Sequence, residues 1–147
     1  MLLNGLPGNH FKCRSGVRQG DPFSPLLFVL AADLLQSVVN KMLHDCQLTL
    51  PIECHDPDFP IIQYADNTIL IPPAEEAQLF ALRDMLHVFA ASTGLRVNFA
   101  KSMMVPINVP EAKAIRLSQV FQCFLGTLPF TYLGLPLGTT KPTIQDL

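Results

Sequence analysis

Ile61-Ile62-Gln63-Tyr64-Ala65-Asp66-Asn67-Thr68-Ile69-Leu70-Ile71 is the stretch whose reading decides the fold. Two β-prone runs flank Asp66-Asn67, a pair that tolerates the positive φ of a two-residue hairpin turn. The stretch therefore predicts a tight antiparallel hairpin, residues 61–65 against 68–71, with Asp66 and Asn67 at its tip.

On the amino-terminal side, residues 15–22 hold Gly16, Gly20 and Pro22 and read as a loop, with a short strand expected before it at 10–14. Ser24-Pro25 is a helix start, because Ser caps free amides and Pro suits the first turn. The helix should run over 24–44, with Leu27, Leu30, Leu34, Val38 and Met42 near one stripe. Leu26, Phe28, Val29 and Leu35 widen that stripe, so burial on most sides is expected. A strand is expected at 48–53 and a loop at 55–60.

Beyond the hairpin, residues 73–93 form the second clear helical pattern. Glu75 and Glu76 lie at its positive end, and Leu79, Leu82, Leu86 and Phe89 share a face. Gly94-Leu95 is a C-terminal stop in which Leu95 folds back on the last turn. Strand-like stretches at 96–99 and 103–107, a third helix over 110–124 and a short β-prone segment at 130–138 complete the chain. The pattern is α+β and forms one domain, with no internal repeat and no linker.

Composition agrees with a packed domain. The 147 residues are 49% hydrophobic and 15% charged, which excludes a disordered charged tail and allows a core without disulfides or metals. A mean hydropathy of +0.31 is high for a self-contained soluble domain and points to apolar surface meant for a further segment. The net charge of −2 lends nucleic-acid binding no bulk support. Lys12, Arg14 and Arg18 do all precede the first acid, Asp21, and their plainest reading is a solvated basic loop. Cys13, Cys46, Cys54 and Cys123 form no CxxC pair and read as free thiols in a reducing compartment. His44, Cys46, Cys54 and His55 fit no common zinc spacing. The apolar run 26–35 is broken by Asp33 and is too short to span a bilayer, so the expected chain is intracellular, nuclear or cytoplasmic, and off the membrane.

A glycine loop feeding an apolar helix, a hairpin with an acid at its tip, and a helix ending before a lysine stand here in order. This order resembles the palm of a reverse transcriptase. Gly16-Val17-Arg18-Gln19-Gly20-Asp21-Pro22-Phe23-Ser24-Pro25-Leu26 is similar to the RQGDPLSPLLF-type signature of plant LINE-like, non-LTR retrotransposons, with Phe23 in place of Leu. Tyr64-Ala65-Asp66-Asn67 stands where that family has its YADD box. Gly94-Leu95-Arg96-Val97-Asn98 through Lys101-Ser102 resembles its SGLxVNxxKS segment, and Phe130-Thr131-Tyr132-Leu133-Gly134 its FxYLG stretch.

The resemblance implies RNA-directed DNA polymerization, with Mg²⁺ or Mn²⁺ as cofactor and an RNA template, a DNA primer and a dNTP as partners. It makes Asp66 the residual catalytic metal ligand. Asn67 replaces the second Asp with a weaker neutral donor. Arg18, Gln19 and Gly20 become the nucleotide- and template-binding loop, and Lys101 a candidate assistant to the leaving pyrophosphate. Tyr132 and Leu133 become the core of a small hairpin, while Met103 and Met104 are packing residues. The family's first catalytic Asp lies on a strand upstream of the Gln-Gly loop, but no acid precedes Asp21 here. The expectation is a partial palm over 1–147 without that motif, fingers or thumb, and catalytically inactive. Alternatives are a nucleic-acid-binding or protein-interaction module on the palm surface, and an enzyme completed in trans. Uncovered apolar groups near the hairpin (Ile62, Tyr64, Ile69, Ile71) would favour self-association or aggregation.

Overall fold

The computed structural model describes residues 2–3, 6–7, 20–54, 56 and 59–139. The strand expected at 10–14 and most of the glycine loop lie outside the described residues. Two short strands, β1 (Leu2–Leu3) and β2 (Leu6–Pro7), pair antiparallel ahead of the first helix.

Helix α1 (Phe23–His44) starts at Phe23 with Pro22 at its N-cap position, and Asp21 rather than Ser24 accepts from its first amides. The Phe23 amide donates to Asp21 Oδ1 at 2.9 Å, and the Ser24 amide donates to the Asp21 carbonyl at 3.1 Å. Asp is as good a cap as Ser, and this register leaves Pro25 in the first turn, where no amide is needed. Only the carboxyl half of α1 is buried, through Leu35, Val39 and Met42. Leu27 and Leu30 are 53% and 65% exposed, so burial on most sides is corrected. The helix carries two apolar stripes, and only one meets the rest of the described fold. With 22 residues and an 18-residue window of mean hydropathy 1.6, α1 is by length and composition long and apolar enough to cross a bilayer, contrary to the reading from residues 26–35 alone. Its carboxyl half is nevertheless committed to the protein core.

Strands β3 (Ile61–Tyr64) and β4 (Asn67–Leu70) form the expected hairpin, with Ile61 opposite Leu70 and Tyr64 opposite Asn67. Helix α2 (Glu76–Thr93) buries the anticipated face of Leu79, Leu82, Leu86 and Phe89. It ends on Gly94 at φ 80°, a left-handed conformation that glycine adopts without strain. Leu95 packs back on the core as expected. The core joins Leu35, Val39 and Met42 of α1, Leu48, Ile61 of β3, and Leu82, Leu86 and Phe89 of α2.

Two expected strands are absent among the described residues. Residues 48–53 run irregularly: Leu48 enters the core alone, and the Thr49 amide donates to Gln78 Oε1 at 2.8 Å instead of to a ladder. Residues 96–99 lead into a turn rather than a strand. The stretch at 103–107 shrinks to β5 (Met103–Met104), which pairs parallel with β6 (Phe124–Leu125) across helix α3 (Glu111–Phe121). Arg83 of α2 ties the two helices by donating to the Val120 carbonyl at 2.6 Å. Phe99 packs between them, its ring 5.8 Å from His87 and 5.7 Å from Phe121. A last hairpin, β7 (Phe130–Tyr132) and β8 (Leu135–Leu137), turns through Leu133 and Gly134. Leu133 is 48% exposed at that turn and is not core, whereas Tyr132 is half-buried. Among the described residues the architecture is α+β, three helices with small two-stranded sheets, most of them antiparallel.

Cys46, Cys54 and Cys123 are free thiols, and burial pushes the Cys123 thiol above its ordinary value. Cys13 lies outside the described residues.

Candidate functional site

The β3–β4 hairpin holds the candidate site. Because Tyr64 pairs with Asn67, the two-residue loop is Ala65-Asp66, one place earlier than Asp66-Asn67. The positive φ falls on Ala65, at 51°. Asp66 keeps the tip and is exposed, while Asn67 opens β4. Side chains alternate across a strand, so Ile61, Gln63, Thr68 and Leu70 share one face and Ile62, Tyr64, Asn67 and Ile69 the other. Ile61 is 1% exposed and anchors the first face in the core. Tyr64, 64% exposed, stands with the Asn67 amide on the outward face, directly across the strand pair.

A two-metal phosphoryl-transfer site needs carboxylate oxygens converging on the ions. The tip offers one carboxylate, Asp66, and beside it the neutral Asn67. Among the described residues no group of three or more His, Cys, Asp or Glu side chains is placed to hold a metal. Among the described residues the side chains therefore do not make up a two-metal donor set. His55 of the weighed zinc tract lies outside the described residues.

The remaining candidates are dispersed. Arg18 and Gln19 lie outside the described residues. Gly20 is exposed at φ 84°, with open space where a Cβ would point, so its backbone conformation alone calls for glycine. Lys101 sits in a turn built on Asn98. The Lys101 amide donates to the Asn98 carbonyl at 2.9 Å, and the Ser102 hydroxyl donates to the same oxygen at 2.9 Å. The Lys101 side chain is exposed, and among the described residues it forms no ion pair with Asp66.

Sequence reasoning missed an open cleft of about 410 Å³ beside β3, lined by Asp33, Gln36, Asp56, Ile61, Ile62 and Gln63. Asp33 and Gln36, three apart on one helix, were its available signal. The cleft's polar groups lie against the strand that carries the Asp66 tip.

A family model described as reverse transcriptase (RNA-dependent DNA polymerase) matches residues 2–137. The chain belongs to the reverse transcriptase family. The matched span takes in Arg18, Gln19, Gly20, the Asp66 hairpin, Lys101 and the β7–β8 hairpin. Reverse transcriptases use divalent metals and act on a nucleic-acid template with dNTPs, which sets the chemistry against which this hairpin is measured. No solved structure matches the chain.

Proposed function

We propose that this reverse transcriptase chain is a palm segment from a non-LTR, LINE-type retrotransposon of the plant-like kind, and that by itself it does not polymerise DNA. The supporting observation is the hairpin tip, where Asp66 is the one carboxylate and Asn67 stands at the neighbouring ligand position. An amide oxygen is a weaker donor to a hard cation than a carboxylate and lowers the local negative charge by one. Asn67 leaves the backbone untouched, because it lies within a paired position of β4. The family's hairpin is thus kept while its charge is reduced. Nuclear or cytoplasmic residence belongs to the same reading, as does a glycine loop at Arg18, Gln19 and Gly20 facing template and nucleotide.

Primer extension on an RNA template with Mg²⁺ or Mn²⁺ tests this. The chain is expected to incorporate no nucleotide, and Asn67→Asp to restore none, because a single added carboxylate does not assemble a complete donor set. Template-dependent incorporation that disappears in Asp66→Ala overturns the proposal.

A further inference from the structure

Helix α1 has a second apolar stripe. Phe23, Leu27, Leu30 and Leu34 are spaced by four, three and four residues, and so share one face of a 3.6-residue helix. Phe23 is 71% exposed, Leu30 65% and the flanking Leu26 60%. The stripe lies roughly a third of a turn from the buried line of Leu35, Val39 and Met42. Core packing among the described residues therefore leaves it uncovered.

The five side chains present on the order of 600 Å² of apolar surface, the upper end of what a monomer leaves open. A stable interface buries ~800 Å² per partner, somewhat more than half of it apolar. This one stripe supplies that apolar share. Its spacing also reads the same in both directions. A two-fold axis between Leu27 and Leu30 brings Phe23 onto the partner's Leu34 and Leu27 onto the partner's Leu30, so one patch is its own complement.

We propose that the first three turns of α1 form the interface of an antiparallel homodimer. The occupant is a second copy of this chain, because the stripe's palindromic spacing and its area match what an isologous pair needs. The inference does not rest on polymerase chemistry. Its readout is association, so its failure leaves the proposed function untouched.

Sedimentation of the full chain between about 1 and 100 μM tests it and is expected to show a monomer–dimer equilibrium. Leu30→Glu should weaken association roughly a hundredfold or more by burying an unpaired charge. Leu30 is exposed within each copy, so the circular dichroism and the denaturant transition of the separated monomer should persist. Leu27→Lys should act alike. Mixing the Leu27→Lys and Leu30→Glu chains should restore a dimer, since each lysine then meets a glutamate only in the antiparallel register. A wild-type monomer throughout, whether its stripe is covered by another part of the same chain or taken up by lipid vesicles, overturns the proposal. So does association that Leu30→Glu leaves unchanged, and so does a mixture that fails to reassociate.

Discussion

Ala65 takes the left-handed conformation at φ 51°, which costs a residue with a Cβ about 1–2 kcal/mol. The composition of the loop favours Asp66 or Asn67 for that role, since their short polar side chains tolerate it. Burial decides otherwise. Ile61 is sealed in the core opposite Leu70, and a slip of one residue would turn that whole face to water. The register is thus set at the far end of the hairpin, and the strain lands on the alanine. Ala65→Gly is accordingly expected to stabilise the chain by about 0.5–1 kcal/mol, less the glycine's greater freedom when unfolded. Urea unfolding with an unchanged slope should show a higher midpoint. A lower midpoint would mean that the backbone at Ala65 is not held at positive φ. The same shift has a chemical consequence, because it sends the Asn67 amide to the outward face beside Tyr64 and leaves Asp66 alone at the tip.

At the scale of elements, α2 and α1 show what periodicity can and cannot disclose. Helix α2 has one apolar face, so the spacing of Leu79, Leu82, Leu86 and Phe89 is enough to mark them as core. Helix α1 has two, and nothing in the sequence says which stripe the rest of the chain covers. The strands expected at 48–53 and 96–99 failed for a related reason. Their residues are β-prone, but β-propensity expresses fit to a neighbouring strand, and no strand lies alongside them among the described residues. Of the candidate site, the acid at the hairpin tip was legible because turn chemistry is local. The cleft with Asp33 and Asp56 was not, because it needs α1 and β3 to meet. Leu82 is 2% exposed and Val29 54%, which yields a matched test. Leu82→Ala should cost about 2–5 kcal/mol, while Val29→Ala should stay within about 0.5 kcal/mol, since alanine is the better helix former and no cavity opens. Denaturant midpoints of the two variants measure this. Similar losses in both would show that the first half of α1 is packed within a single copy.

Across the whole molecule, stability is unevenly distributed. Among the described residues the main core cluster lies where the carboxyl half of α1, β3 and α2 meet. Each sheet among the described residues has only two strands, and two-stranded pairs have little independent stability in water. The β3–β4 hairpin escapes that weakness because Ile61 and Leu70 join the core. The β7–β8 hairpin contributes no residue to that cluster, although the buried Tyr132 hydroxyl shows some local packing. Native-state hydrogen exchange should therefore be slowest at 79–89 of α2 and 35–42 of α1, approaching the global unfolding free energy. Amides of β7 and β8 should exchange through local opening, with free energies well below that value and little dependence on denaturant. Residues 23–34 form the informative third class. Their helical hydrogen bonds have a bare apolar flank in the single copy, so their protection should rise with protein concentration as copies pair. Exchange followed by mass spectrometry at about 1 and 100 μM separates these three behaviours. If β7 and β8 exchange as slowly as α2, the core extends further than the buried cluster, and the carboxyl-terminal hairpin folds in the same cooperative step.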